Sequence, residues 1–471
     1  MAYNLRYSRE VIYCNPSMTT GSRAASALLF LGDTLVFAFS LWLTLLLRYQ
    51  EIPSDAIVAL HAGPFAFLFI VWLLVFFMSG LYEKRVVFFK RDLSGRLIRT
   101  QVFNIVLAAL FFFTVPALVI APKTNLAIYL AVSLVLILVW RLNVFPRITE
   151  RRTTAEAIII GTGDEERELA QELNGNPRYG IRAQESVDPG ALTSASLDEL
   201  LSRAEGKDIH LLIVDTRNPA VAGFVPALYR RAFEHGSYEV VDLLALYEEV
   251  FDRVPLTLLS HEWFFRYISG RVSGFYLAVK RAIDITGGVL MGAITVVMLP
   301  FVWMALRIEG PGPLFIVQDR LGQRESRIRT YKIRTMTHSD NGEWIGEGKN
   351  RVTKVGAFLR RTSLDEFPQF VNVLKGELSL IGPRNDVVAL GERLAEALPY
   401  YRVRYVAKPG ITGWAQVNQQ YEQGHISPQS VEETKMRLAY DFYYLKHRSL
   451  VLDIVIALKT VKRMLFRVGS W

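Results

Sequence analysis

Cysteine is nearly missing from this sequence. Its 471 residues contain one, Cys14, which excludes an intrachain disulfide and any thiolate metal site. A cleavable leader is also not expected, because the first apolar run is too long for a signal-peptide core and lacks a convincing cleavage site. There is no internal repeat, no low-complexity tract and no nucleic-acid-binding motif. The charge is nevertheless basic, with 54 Lys and Arg against 45 Asp and Glu. Cations that flank apolar runs suit anionic lipid or phosphorylated substrates, not nucleic acid. What abounds is apolar: 51% of the residues are hydrophobic and the mean hydropathy is positive, which points to membrane segments. The length suggests roughly three domains.

Residues 1–24 form a polar tail, expected to be cytoplasmic. Four apolar runs follow, near 25–47, 62–82, 102–121 and 125–140. Crossing a bilayer takes about 20 residues, so 25–150 reads as a four-helix transmembrane bundle. Asp33 lies inside the first run, where a partner within the bundle is expected. The segment 83–99 carries Lys84, Arg85, Lys90, Arg91, Arg96 and Arg99, and Arg141, Arg147, Arg151 and Arg152 follow the fourth run. The other loops are nearly free of cations, so both termini are expected in the cytoplasm.

Residues 151–255 read as an α/β, Rossmann-like cytoplasmic domain. AEAIIIG at 155–161, IHLLIVDT at 209–216 and YEVVDLL at 238–244 are buried-strand patterns, and EERELAQEL at 165–173 is a helix between strands. The turn Gly161-Thr162-Gly163 lacks the third glycine of a dinucleotide fingerprint, with Glu166 in its place. An assembly or regulatory role is therefore favoured over a cofactor, and the domain is expected to be dispensable for chemistry. An aromatic stretch from Trp263 to Tyr276 resembles an interfacial belt. A fifth apolar run, Ile285 to Leu306, contains Pro300. Spanning would carry everything after it across the membrane. A proline-bent helix over 283–307 that enters and leaves by one face keeps it inside, and is the favoured expectation.

The region 256–471 holds the chemistry. Within Arg351–Arg384 the adjacent carboxylates Asp365 and Glu366 sit among Arg351, Lys354, Arg360, Arg361 and Arg384, with Arg334 upstream. Cations around a carboxylate pair suit a nucleotide diphosphate with Mg²⁺. An ionised Asp can also attack phosphorus. A plainer reading stands beside this one. Ser363 and Glu366 fit a helix capping box, and acidic residues in a first turn complement the helix dipole. The terminal segment 450–469 is amphipathic and basic, with Lys459, Lys462, Arg463 and Arg467. It suits a cytoplasmic membrane face or an ordinary core-facing helix.

From Lys280 to about Asp453 the chain resembles the bacterial sugar transferase family, the monotopic polyprenol-phosphate sugar-1-phosphate transferases. The matching stretches are Lys280-Arg281 with Asp284, Gln318-Asp319-Arg320, Tyr331–Met336, Arg351–Gly356, Thr362–Glu366, Asn372–Glu377, Ile381–Arg384 and Lys408–Asn418, in one collinear order. The N-terminal part resembles the large subgroup, which places four membrane helices and a Rossmann-like domain before the monotopic α/β catalytic domain.

The resemblance implies transfer of a sugar 1-phosphate from a UDP-sugar to undecaprenyl phosphate, with release of UMP, at the bacterial inner membrane. That step would initiate exopolysaccharide, capsule or O-antigen synthesis. Asp365 would be the nucleophile and Glu366 its partner in holding Mg²⁺. Lys332, Arg334, Arg351, Lys354, Arg360, Arg361, Arg384 and Gln416 would be candidate substrate contacts, and Pro300 the break of the re-entrant helix. A homodimer is implied by the subgroup alone. Two departures stand out: Leu299 where the family has serine before the breaking proline, and Asn385 where proline often follows Gly-Pro-Arg. Two other classes remain: a nucleotide-sugar oxidoreductase or dehydratase built on the Rossmann-like domain, and a non-catalytic membrane scaffold for polysaccharide assembly.

Overall fold

A computed structural model describes residues 16–82, 90–114, 122–149, 154–176, 179–205, 209, 211–230, 239–268, 272–336, 352–420, 428 and 430–466. The chain forms two compact units, 1–246 and 247–471.

The first unit opens with α1 (Pro16–Tyr49), α2 (Asp55–Met78), α3 (Lys90–Thr114) and α4 (Pro122–Val139), then a π-helical turn (Trp140–Val144) and α5 (Phe145–Thr149). These helices share one core, with Phe37 of α1, Phe65 and Trp72 of α2, Phe112 of α3 and Tyr129 of α4 in mutual contact range. Their outward residues are apolar as well: Leu35, Ile70, Phe113 and Val135 are all more than half exposed. A helix that is apolar all round needs an apolar surrounding. Together with the long helix described below, five helices among the described residues are long and apolar enough to cross a membrane. The protein is a membrane protein.

The charged groups inside this helical core are paired, as apolar surroundings require, whereas Asn104 Oδ1, Asn125 Oδ1 and Trp140 Nε1 are buried with no hydrogen-bond partner among the described residues. Asp33 takes Arg141 Nε at 3.0 Å and Arg141 Nη2 on its other oxygen, and Tyr82 Oη donates to it at 2.7 Å. Arg141 Nη1 donates to the Leu81 carbonyl at 2.8 Å. The partner expected for Asp33 is thus an arginine at the far end of the fourth helix.

The same unit then forms a four-stranded, all-parallel sheet of order β2-β1-β3-β4, from β1 (Ala155–Ile160), β2 (Ile181–Val187), β3 (Leu211–Val214) and β4 (Glu239–Asp242). Its helices are α6 (Asp164–Gly175), α7 (Ser194–Glu205), α8 (Pro219–Ala222) and α9 (Val225–Tyr229), and α10 (Leu243–Phe251) follows β4. No strand pattern in the sequence marks β2. It is an edge strand with mostly polar, exposed residues, so no apolar run announces it. Glu166 is buried beside Gly161 in the first turn of α6.

The second unit begins with α11 (His261–Tyr267). Only part of its aromatic stretch faces outward. Phe265 and Phe275 are exposed, whereas Trp263 and Phe264 are buried against Phe442. Then comes α12 (Gly274–Glu309), which continues through Pro300 as one helix. The break expected there is not formed. A proline removes one backbone bond, and Met298, Val302 and Leu306 hold both sides of it against Ile333 and Leu359.

The α/β unit packs along α12 for most of its length. Arg281 donates to the Val373 and Leu374 carbonyls, and Asp284 accepts from Ser379 Oγ and Leu380 N, both at 2.9 Å. Gly288 and Gly292 allow a close approach. A Cβ on Gly292 would lie 2.9 Å from the Phe370 ring, and one on Gly288 3.0 Å from Leu374. At the far end, Glu309 accepts from Lys354 N and Val355 N. The opposite face is bare and apolar, with Val289, Leu290, Val296, Val297, Phe301 and Met304 exposed.

Around this helix are the antiparallel hairpin β5 (Phe315–Leu321) and β6 (Arg327–Ile333), then α13 (Lys354–Thr362), a 3₁₀ helix (Leu364–Gln369) and α14 (Phe370–Lys375). β7 (Ser379–Ile381), α15 (Val388–Ala397) and a second 3₁₀ helix (Tyr401–Val406) come next, and β8 (Gly410–Thr412) pairs parallel with β7. α16 (Trp414–Asn418), α17 (Val431–His447) and α18 (Leu450–Phe466) complete the unit. α18 combines the two readings of its sequence. Ile456 and Asp453 are buried, Val451 and Ile454 are exposed, and two of its cations turn inward, Lys459 to Asn418 and Arg463 to the Gln416 carbonyl.

The Asp33–Arg141 pair is open to a direct test. Arg141→Met leaves Asp33 charged and unpaired, which should cost about 3–5 kcal/mol. The double variant Asp33→Leu/Arg141→Met should recover most of that loss in thermal unfolding of the detergent-solubilised protein. A double variant as unstable as the single would refute the pairing as the cause.

Candidate active site

The site begins with the hairpin. Side chains alternate along a strand, so Ile328, Thr330 and Lys332 of β6 share one face with Gln318 and Arg320 of β5. Ile328, Thr330, Gln318 and Arg320 are buried, and Lys332 continues that inner face.

Opposite it lies the turn after α13. Thr353 caps α13, accepting from Gly356 N at 2.9 Å. Gly356 lies against the Thr335 backbone, so closely that a Cβ would fall 2.1 Å from the Thr335 carbonyl oxygen. The helix ends at Ser363, which takes the left-handed conformation with φ 55°. Ser363 thereby closes α13 with its own N–H, and its hydroxyl caps nothing. The capping box expected from Ser363 and Glu366 does not form, because the left-handed residue turns the chain away. Released from capping, the Glu366 side chain faces β6.

There Glu366 meets two cations. Lys332 Nζ lies 3.0 Å from Oε1, Arg384 Nη1 lies 3.2 Å from Oε2, and Arg384 Nη2 contacts Oε1. Burial pulls the Glu366 carboxyl upward, but Arg384 and Lys332 outweigh it and hold it well below the usual carboxylate range. Asp365, equally buried, takes no hydrogen bond or ion pair from the described residues. Burial, then the Glu366 charge, push its carboxyl up, against Lys332, Arg384 and Arg360. Burial also lowers the Lys332 ammonium, with Arg320 and Arg384 adding to the effect and Glu366 opposing it. One carboxylate of the pair is thus neutralised by cations, and the other is left for a ligand.

Arg384 stands in the loop after β7. Next to it, Asn385 is buried, and both its backbone carbonyl and its Oδ1 accept from Arg320 Nη1 at 3.1 Å. The asparagine therefore supplies a side-chain anchor for the loop. Arg320 also donates to Gln318 Oε1 at 2.9 Å, so one hairpin face supports both Lys332 and the Arg384 loop. Arg320 was not singled out as a site residue by the sequence. Its alternation with Gln318 and Lys332 across the hairpin was the available signal.

The remaining candidates divide. Arg360 belongs to the site: its Nε donates to Thr335 Oγ1 at 2.8 Å and its charge acts on Asp365. Arg334 does not meet the carboxylate pair. It points the other way and donates to the Pro311, Gly310 and Leu306 carbonyls, closing the C-terminal end of α12. Lys354 is exposed at the start of α13, whose first amides Glu309 already accepts. Arg361 is exposed on α13. Gln416 sits on α16 and donates to the Ile411 carbonyl at 3.0 Å. Arg351 lies outside the described residues.

No cluster of three or more metal-ligating side chains occurs among the described residues. The carboxylate pair still fits a hard cation that takes one or two carboxylates and fills its shell with water and phosphate oxygens. Glu366 spends three of its roughly four acceptor positions on Lys332 and Arg384, leaving about one. Asp365 retains its own.

Residues 275–467 match the family model for bacterial sugar transferases. The chain is 34% identical over 201 residues to the UDP-N-acetylgalactosamine-undecaprenyl-phosphate N-acetylgalactosaminephosphotransferase of Aeromonas hydrophila, covering 42% of this chain and 46% of that protein. It is 30% identical over 333 residues to the undecaprenyl-phosphate glucose phosphotransferase of Komagataeibacter xylinus, 67% of this chain and 60% of that one. The second match is longer than the whole second unit, so it reaches into the first. To the UDP-glucose:undecaprenyl-phosphate glucose-1-phosphate transferase of Caulobacter vibrioides the identity is 36% over 189 residues, 40% of this chain and 69% of that protein. The matches thus span about half to two thirds of these relatives. The carboxylate pair and the two cations that hold Glu366 fall within residues 275–467, and the chain belongs to the bacterial sugar transferase family.

Proposed function

We propose that this chain transfers a sugar 1-phosphate from a UDP-sugar to undecaprenyl phosphate and releases UMP, the first membrane step of a surface polysaccharide. The observation that carries the reading is the asymmetry of the pair: Glu366 held by Lys332 and Arg384, and Asp365 beside it with no ion pair among the described residues. The relatives' names carry the substrate class, a UDP-sugar and undecaprenyl phosphate.

In this mechanism a carboxylate oxygen of Asp365 attacks the sugar-linked phosphorus. The bond to the UMP phosphate breaks and UMP leaves with the electron pair. A phosphate oxygen of the lipid then attacks the same phosphorus, the aspartyl bond breaks, and the Asp365 carboxylate is regenerated. Neither displacement requires a proton. Catalysis of such transfers is largely positioning and charge stabilisation. Lys332, Arg384 and Arg360 surround the place where phosphate charge would sit. A Mg²⁺ ion held by Asp365 and the remaining acceptor of Glu366 would supply further neutralisation of the phosphates.

The same reading puts the catalytic unit on the cytoplasmic face. Contacts with the α/β unit run along α12 from Arg281 to Glu309, a length of about 42 Å at 1.5 Å per residue. The hydrocarbon core is only about 30 Å thick. A spanning α12 would drag the charged surface of that unit into lipid. An α12 that dips its apolar face into one leaflet, with the exposed residues of α18 beside it, keeps both of its ends on one side.

Two experiments decide these points. Asp365→Asn should abolish transfer while leaving the fold intact, and wild-type protein given a UDP-sugar without lipid should accumulate a phosphosugar adduct on Asp365, read by mass spectrometry. The acid limb of adduct formation should lie above the ordinary Asp range of about 3.9, because a raised carboxyl loses its nucleophilic form sooner as pH falls. Near-normal turnover by Asp365→Asn would defeat the covalent route. For topology, a cysteine near the C-terminus of a Cys14→Ser protein should resist membrane-impermeant thiol reagents in intact cells. Efficient labelling would mean that α12 spans.

A further inference from the structure

Beneath the Arg384 loop lies a cluster of charged and phenolic side chains that the mechanism does not use. Arg404, on the second 3₁₀ helix, is fully buried and spends every guanidinium nitrogen. Nε and Nη2 donate to Asp441 Oδ2 at 2.9 and 2.7 Å, and Nη1 donates to Asp386 Oδ2 and to Tyr401 Oη. Nη2 also donates to the backbone carbonyl of Arg384 at 2.7 Å. Asp386 is gripped from all sides. Tyr401 and Tyr405 donate to it at 2.9 and 2.8 Å, and Arg437 of α17 donates to its other oxygen at 3.0 Å. Its backbone carbonyl accepts from Leu321 N of β5 at 2.9 Å.

We infer that Arg404 is a positioning residue for the transfer reaction, fixing the main chain of Arg384 so that its guanidinium holds Glu366. The inference rests on the transferase reading above. The cluster contains two arginines and two aspartates, so its charges cancel and its field at the site is small. Its influence on Glu366 therefore passes through geometry: the carbonyl of residue 384 is held in the interior, and the side chain of the same residue projects into the site. As a source of stability alone, such a buried network has little advantage over apolar residues of the same volume. What it supplies is direction, and the five-donor fork of arginine supplies it where a lysine ammonium does not.

The test is a double-mutant cycle in the full-length protein, read as UMP release from UDP-sugars with undecaprenyl phosphate as acceptor. Arg404→Lys should lower kcat by about 10²-fold, the scale of a misplaced catalytic group. Arg384→Gln should lower it as well. If Arg404 acts through Arg384, the double variant should be no slower than Arg384→Gln alone, within about twofold. Losses that multiply would overturn the inference, since a merely structural defect is indifferent to the side chain at 384. Should Arg404→Lys fail to fold, Tyr405→Phe removes one donor to Asp386, keeps the ring, and should show the same non-additivity with a smaller loss. A second arm needs no turnover: the position of the Arg384 guanidinium, read from structures of wild type, Arg404→Lys and Tyr405→Phe. In both variants Arg384 should be displaced from the Glu366 carboxylate it contacts in the wild-type protein. An Arg384 guanidinium still seated on Glu366 refutes positioning. If wild-type protein turned over no UDP-sugar, the transferase reading would fall, while this arm would still decide whether Arg404 governs Glu366.

Discussion

Neighbouring carboxylates in a nearly dry site repel each other, and burial penalises whichever of them remains charged. Most of the second unit can be understood as the answer to that constraint. Lys332 arrives on a strand and Arg384 on a loop, and both are spent on Glu366. Asp365 is left as the carboxylate with raised proton affinity and open acceptor positions. The hairpin exists at the right height because Arg320 and Gln318 tie it to the Arg384 loop. α13 delivers the pair because a left-handed Ser363 ends it one residue before the turn.

The sequence made much of this legible, for reasons specific to each element. Runs such as Ala155–Ile160 and Leu211–Val214 are apolar and β-branched, and they form central strands of a parallel sheet. The carboxylate pair was visible as a pair, and its surrounding cations as a set. Their directions were not. Arg334 and Lys332 lie two apart on or beside the same strand, yet one caps a helix and the other meets Glu366, and a cation in a sequence does not say which carbonyl or carboxylate it will reach. Ser363 followed by Glu366 carries the letters of a capping box, but the left-handed backbone that cancels it is set by how α13 ends. Pro300 carried a break signal that packing on both sides overrode.

The least legible part is the cluster around Asp386. Its members come from a loop, a 3₁₀ helix and α17, and only the fold brings Arg404, Arg437 and Asp441 to one point. No spacing rule links them. Unlike a strand or an amphipathic helix, a buried ion network has no period, so it becomes visible only when partners distant in sequence are seen together.

Arg334 has a meaning beyond closing a helix. It binds the last carbonyls of α12 and stands two residues from Lys332, so the end of the apolar helix and the cation at Glu366 are joined by a single short piece of backbone. With Arg281 and Asp284 gripping the other end, α12 has no freedom to slide along the unit it carries. The helix therefore acts as a ruler. On the proposed transferase reading, whatever the thickness of the surrounding bilayer, the depth at which α12 settles would set the height of Asp365 above the lipid, and the acceptor would be met at a distance fixed by that length of protein.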